Sequence, residues 1–226
     1  SMNAEDVLAK AREKGVSVTE YLTAALILSV DAIQRRKVPS IHKYKPVKLS
    51  VPINLRNVFP SKTLRNFANY VNPGIDPRLG EYTFDETLNI VHHTMAMEVT
   101  KKLLNVKITT NVRSEQNTML RLTPLFIKNM ALKYVYSQVG DVLSSTTISN
   151  LGVAKLPAEM AQYVRRMDFI LGPLADNRVC CAALTYNGRL RINFTRTIAE
   201  PWLEREFFTR LVKLGIPVKV ESNQRD

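Results

Sequence analysis

Thr147-Ile-Ser-Asn-Leu-Gly152, followed by Val153-Ala-Lys-Leu-Pro157, is the stretch on which the reading of the fold turns. A β-branched run ending in Ser-Asn-Leu-Gly predicts a strand that stops at a polar tip, because Asn150 and Gly152 tolerate backbone angles that other residues avoid. Upstream, Val47–Asn54 alternates cleanly, with Val47, Leu49, Val51 and Ile53 on one side, and predicts a half-buried strand. Downstream, Arg178–Tyr186 and Arg189–Arg196 are two β-rich runs joined by Asn187-Gly188, the residue pair that suits a type I′ hairpin turn. Leu190, Ile192 and Phe194 alternate with Arg189, Arg191 and Asn193, giving one apolar face and one basic, polar face.

Helical signals fill the intervals. Ala4–Lys14 is helical and stops at Gly15. Ser17-Val-Thr-Glu20 has capping-box form and opens a helix to about Arg36, with Leu22, Ala25, Leu26, Ser29 and Val30 on one face. A second capping box, Thr83-Phe-Asp-Glu86, opens one long helix from Phe84 to Asn105. Another helix runs from Pro124 to Val139, with Thr123 as its cap and Gly140 as its stop. Asn66–Val71 is a strand closed by the turn signals Asn72-Pro-Gly74 and Asp76-Pro77. Gly152–Tyr163 is a loop with a helical turn. Glu200–Leu214 is an amphipathic helix ended by Gly215, and Ile216–Glu221 is a short last strand. Strands interrupted by long helices, plus a hairpin, predict an α/β (α+β) fold with a mixed β-sheet flanked by helices. No internal linker divides the chain, so residues 1–226 are expected to form a single domain.

Composition narrows the function classes. The 226 residues are 45% hydrophobic and 23% charged, an ordinary soluble balance without a low-complexity tract or repeat. Leu22–Val30 is the longest strongly apolar run, too short to span a bilayer. The N-terminus is polar and has no signal-peptide form, and Ser1 ahead of Met2 reads as an expression remnant. The 32 basic residues exceed the 20 acidic ones by 12. The basic residues are dispersed, though, and no basic run is interleaved with aromatics, which disfavours nucleic acid. Cys180 and Cys181 are adjacent in an apolar strand, where successive side chains point apart, so they read as packing thiols of a reducing compartment. The expected location is cytoplasmic.

Catalytic patterns are scarce. His92-His93 falls within the predicted long helix. There Leu88, Val91, Met95 and Val99 form the buried stripe, with His92 beside it and His93 on the flank of Ile90, Met97 and Leu104. The pair reads as histidines at a core edge. Glycine is limited to eight residues, and the chain contains no phosphate-binding loop and no Gly-x-Ser-x-Gly elbow. His-Glu-x-x-His and Cys-x-x-Cys metal patterns are absent too. No metal site and no catalytic residue is assigned.

Four segments together carry a resemblance. Gly15-Val-Ser-Val-Thr-Glu-Tyr-Leu-Thr-Ala-Ala25, Val51-Pro-Ile-Asn-Leu-Arg56, Asn66-Phe-Ala-Asn69 and Thr147–Gly152 occur in an order and spacing that resembles the C-terminal lobe of the CoA-dependent acyltransferase superfamily. That superfamily includes chloramphenicol acetyltransferase, nonribosomal condensation domains and alcohol O-acetyltransferases. The likeness covers about Ala4 to Leu214. It implies a chloramphenicol-acetyltransferase-like lobe that meets a similar lobe along a tunnel entered by CoA from one mouth and by the acceptor from the other.

On this resemblance Ser149, Asn150, Gly152, Arg56 and Asn66 line the substrate and CoA tunnel. Asn150 either reaches the substrate or bonds its own backbone in a turn, and Arg56 is a buried or partly buried cation that fixes the neighbouring loop. Arg189 and Arg191 either meet CoA phosphates or form a solvated face. The superfamily's His-His-x-x-x-Asp-Gly motif does not occur here: with His92 aligned to it, Met97 and Glu98 stand in place of Asp and Gly. The catalytic histidine is therefore expected on an N-terminal lobe absent from this chain. Acyl-CoA is the implied co-substrate, an alcohol or amine the acceptor, and no cofactor is covalently bound. The implied protein partner is that N-terminal lobe or a homo-oligomer partner. A non-catalytic binding or scaffolding module on the same fold is the alternative, and a basic nucleic-acid-binding domain a third reading.

Overall fold

The computed structural model describes residues 1–116, 122–139, 144–173 and 177–223. Among these residues seven strands form: β1 (Met2–Asn3), β2 (Val47–Asn54), β3 (Ala68–Val71), β4 (Gly74–Ile75), β5 (Thr146–Val153), β6 (Val179–Tyr186) and β7 (Arg189–Arg196). The helices are α1 (Ala4–Glu13), α2 (Val18–Lys37), α3 (Phe84–Glu98), α4 (Lys101–Gln116), α5 (Leu125–Val139), the short α6 (Ala158–Ala161) and α7 (Trp202–Lys213). The sheet order is β1-β7-β6-β5-β2-β3, with β4 also on β2. β2, β5 and β6 run parallel, and the other pairings are antiparallel. The predicted mixed α/β architecture is therefore the observed one.

α2 is the centre of the core. Every residue from Glu20 to Ser29 is buried, because the helix packs on β2 between α3 and α7. Two of its hydroxyls are satisfied locally: Thr23 Oγ1 donates to the Thr19 carbonyl and Ser29 Oγ to the Ala25 carbonyl, both at 2.7 Å. The expected capping box is present, with Ser17 Oγ accepting from the Glu20 N–H and Glu20 Oε2 accepting from the Ser17 N–H. No single helix among the described residues is long and apolar enough to cross a membrane.

β6 lies inside the sheet and is buried on both faces. Val179, Cys181 and Ala183 join the main core. Residues 164–171 cross near the β6–β7 hairpin, where Tyr186 Oη donates to the Val164 carbonyl at 3.0 Å and Asn193 Nδ2 to the Phe169 carbonyl at 3.1 Å. Neither cysteine forms a disulfide, both are buried, and burial pushes the Cys181 thiol well above its ordinary range. The hairpin turn is as predicted, with Asn187 at φ 48° and Gly188 at φ 69°.

Five sequence expectations need correction. The helix from Phe84 to Asn105 is two helices. It breaks at Val99 (φ −89°, ψ 42°), and Thr100 caps the next one, its Oγ1 accepting from the Leu103 N–H at 3.3 Å. The Ser-Asn-Leu-Gly strand does not stop at its polar tip but runs on to Val153. The strand expected over Asn66–Val71 starts only at Ala68, which leaves Asn66 in the preceding loop. Ile216–Glu221 is not a strand; it touches the sheet margin through two main-chain bonds between Lys219 and Ser1. The turn signal Asn72-Pro-Gly74 also hides β4. The expected helix from Pro124 forms as α5, with Lys128 N–H bonding the Pro124 carbonyl at 3.1 Å, while the Gly140 stop lies outside the described residues.

Gly74 is required where β4 meets β2, since a Cβ there would sit 2.2 Å from the Val47 carbonyl oxygen and 2.8 Å from Lys48 Cα. Both obstacles are backbone. Gly74→Ala is expected to destabilise by about 2–3 kcal/mol through parting of the strands. Urea unfolding monitored by circular dichroism checks it.

Candidate functional site

The parallel strands β2 and β5 pair only at Leu49–Thr146 and Ser50–Thr147. Beyond those pairs β2 keeps β3 on its far side, through Val51–Val71 to Asn54–Ala68, while β5 stays with β6. The two strands thus part toward their carboxyl ends. Carboxyl ends of parallel strands, where neighbours diverge, are the usual place for a ligand crevice.

Ser149, Asn150 and Gly152 stand on the β5 side of this notch, all half-buried. Arg56 follows β2, and Asn66 precedes β3, on the other side. Among the described residues no hydrogen bond joins the two groups. Thr146 and Thr147 at the root of the notch are buried, and Thr146 Oγ1 donates to the Val179 carbonyl.

Asn150 builds a bulge. Its Oδ1 accepts from the Gly152 N–H at 2.9 Å, and its Nδ2 donates to Thr19 Oγ1 at 3.1 Å in the first turn of α2. The β5–β6 register shifts between Asn150 and Val153, and Gly152 takes φ 76° to allow it. This accounts for a strand that continues where the sequence suggested an end. A Cβ on Gly152 would meet nothing within 4 Å. Gly152→Ala therefore carries only the left-handed backbone cost, about 1–2 kcal/mol, which thermal unfolding of the variant measures. Ser149, by contrast, has no side-chain hydrogen-bond partner among the described residues.

Arg56 is exposed, not the buried or partly buried cation expected. Its Nη2 donates to the carbonyls of Thr63 at 2.9 Å and Arg65 at 2.7 Å, so it does hold the loop between β2 and β3. The carbonyls supply acceptors without enclosing the guanidinium. Asn66 is exposed in the same loop.

A histidine–carboxylate pair that the sequence did not reveal lies next to Thr19. His92 Nδ1 is 2.9 Å from Oε1 of the buried Glu20, and the His93 ring is tilted against His92 at 5.6 Å. The capping box predicts a fixed Glu20, but its partner is 72 residues away in sequence. Burial pushes the Glu20 carboxyl up, yet its hydrogen bonds with Ser17 and His92 outweigh this and hold it below the usual carboxylate range. A depressed folded-state value means that the stabilisation is present above the unfolded carboxylate pKa and is lost as pH falls through the folded one. Between neutral pH and pH about 3, the wild type is expected to lose more unfolding free energy than Glu20→Gln in urea titrations. No cluster of three or more metal-ligating side chains occurs among the described residues.

No family model matches the sequence, and no curated protein matches it either. Solved structures do match. The nonribosomal peptide synthetase FmoA3 in its AMPPNP-bound form aligns with a TM-score of 0.60 at 14% identity, covering 95% of this chain and 21% of that one. The epimerization domain from the third module of tyrocidine synthetase B aligns at 0.53 and 14% identity, over 93% of this chain and 44% of its own. A condensation domain that mediates chain release from the enacyloxin polyketide synthase aligns at 0.51 and 13% identity, covering all of this chain and 42% of that one. The chain thus spans less than half the length of each. Parallel β2, β5 and β6, the buried α2 and the β6–β7 hairpin together form a mixed α/β fold like that of part of these epimerization and condensation domains.

Proposed function

We propose that this chain is the C-terminal lobe of a CoA-dependent acyltransferase, of the alcohol O-acetyltransferase type. Its β2–β5 notch forms one wall of the channel in which an acyl-CoA and an alcohol or amine meet. The observation that carries this reading is the parting of β2 and β5 beside a half-buried Ser149 whose hydroxyl has no partner among the described residues. The base that removes the acceptor proton is supplied by an N-terminal lobe.

Surface area supports a lobe that is covered in use. A compact protein of 25.6 kDa exposes about 10,400 Å² by the usual scaling with mass. This chain exposes 14984 Å². Much of the apolar part lies on α4 and α5, where Val106, Leu125, Phe126, Met130 and Tyr134 are each at least 60% exposed. A helix apolar on all sides is ordinarily buried, and exposed apolar surface on this scale marks an interface. At the notch, Leu151 and Val153 are exposed too.

The test is photo-crosslinking with an acyl-CoA that carries a benzophenone on its acyl chain, followed by peptide mapping. Labelling is expected on residues 147–153, competed by unlabelled acetyl-CoA and reduced by Ser149→Phe, which fills the notch. Labelling that spares residues 147–153, or that acetyl-CoA does not compete, overturns the assignment.

A further inference from the structure

The surroundings of His92 and His93 on α3 are those of metal-ligating imidazoles. His92 Nδ1 lies 2.9 Å from Glu20 Oε1, and the other oxygen of that carboxylate is fixed by the Ser17 N–H at 2.7 Å. An ionised carboxylate only accepts, so Nδ1 carries the hydrogen and Nε2 keeps its lone pair. The Glu20 side chain is 11% exposed and that of His92 42%, which encloses the carboxylate and leaves much of the ring in contact with water. Imidazoles that ligate metals are held in this way, one nitrogen on a carboxylate and the other on the ion. Among the described residues no Lys or Arg comes within 4.0 Å of Glu20. The enclosed carboxylate therefore has no fixed counter-charge, and a cation on Nε2 supplies one.

His93 adds a second nitrogen donor. Successive side chains leave a helix about 100° apart, yet the exposed His93 ring lies against that of His92, tilted by 59° with centres 5.6 Å apart. With metal–imidazole bonds of about 2.0 Å, two rings that share one ion have centres about 5–6 Å apart. The observed spacing falls within that range.

The number of donors selects the metal. No group of three or more His, Cys, Asp or Glu side chains able to hold an ion occurs among the described residues. Zn²⁺ needs four ligands and would have to take two of them from water. Cu(I), a closed-shell ion, is stable between two nitrogen donors, and imidazole suits copper. The softer thiols of Cys180 and Cys181, 1% and 0% exposed, are out of reach. We propose that His92 and His93 form a Cu(I) site and that Glu20 is the group that orients His92 within it. The ligands lie on α3 and the orienting carboxylate on α2, so the ion ties these helices together. It does so one residue from Thr19, which holds Asn150 at the β5 bulge.

Anaerobic titration of the whole chain with Cu(I), kept reduced by ascorbate and reported by the chelator ferrozine, tests this. The protein should withdraw Cu(I) from the chelator one to one, and Zn²⁺ at the same concentration should not compete. Glu20→Gln keeps a capping side chain and should weaken binding about 10–100-fold. His93→Ala, at an exposed position, should abolish the one-to-one binding. Circular dichroism of both variants confirms the fold. X-ray absorption should show two nitrogen neighbours at about 2.0 Å and no sulfur. Unchanged affinity in Glu20→Gln shows an adventitious pair of histidines and overturns the site. Equal affinity for Zn²⁺ overturns the choice of metal, and sulfur in the copper shell overturns the ligand set. Acyl-CoA crosslinking at residues 147–153 is independent of every one of these outcomes.

Discussion

Phe207→Ala should lower the free energy of unfolding by about 3–5 kcal/mol. Phe207 is fully buried on α7, where it packs edge-on against Phe194 of β7 at 5.4 Å and against Phe208 at 5.6 Å. It belongs to the cluster that joins α7 to α2, with Leu203 and Leu211 one turn away on either side. Truncation to Ala removes the transfer free energy of the ring and leaves a cavity that the sheet and α2 cannot close, because both are held by their own ladders. The aromatic pairs are lost as well, each a further ~1 kcal/mol. Phe207→Leu should recover much of the loss by filling most of the volume. Urea titration followed by far-UV circular dichroism measures both, and a loss under about 1.5 kcal/mol for the alanine variant would show that the site collapses around the gap.

The amphipathic helix that carries Phe207 was legible over Glu200–Leu214, and so was most of the architecture. Where apolar period and end signals agree, as in α1, α2 and β2, sequence and structure coincide. The hairpin is legible because Asn187 and Gly188 must both adopt positive φ. What was hidden depends on contacts between distant segments. β1 and β4 are two residues each and have no period of their own; they exist because β7 and β2 offer an edge. The break at Val99 was hidden because Thr100 is a weak cap signal inside a run of good helix formers. At the notch, Asn150 and Gly152 stood out as residues of unusual backbone geometry. The bulge they make needed β6 as its reference strand, and the link to Thr19 needed α2 beneath it. The Glu20–His92 pair was half legible: the capping box fixes the carboxylate, while only the packing of α3 on α2 brings the imidazole to it.

Asp31→Ala is expected to cost about 3 kcal/mol. Asp31 is buried on α2, and its Oδ2 accepts from Arg35 Nε at 2.9 Å one turn later. Arg35 in turn donates through Nη2 to the carbonyls of Pro77 at 3.3 Å and Gly80 at 2.6 Å and lies over the Tyr44 ring at 5.6 Å. This one guanidinium ties α2 to the turn that leads into α3 and to the loop before β2. Its remaining acidic neighbour, Glu81, is 3.8 Å away and largely exposed, too solvated to replace Asp31. Removing the aspartate leaves a mostly buried cation with two carbonyls and no close counter-charge, the arrangement that costs most when a buried pair is broken. The low end of the range applies because about a fifth of the Arg35 side chain, 22%, still reaches water. Asp31→Asn keeps an acceptor of the same shape and should cost about 1–2 kcal/mol. The double change Asp31→Leu with Arg35→Met removes both charges together, and apolar replacements of buried pairs are often neutral or better. Here they should not be, since the Pro77 and Gly80 carbonyls would lose their donor. Urea unfolding of the three variants tests this ordering: if the double variant is at least as stable as wild type, the pair is a replaceable charge couple, and the clamp on residues 77–80 contributes nothing.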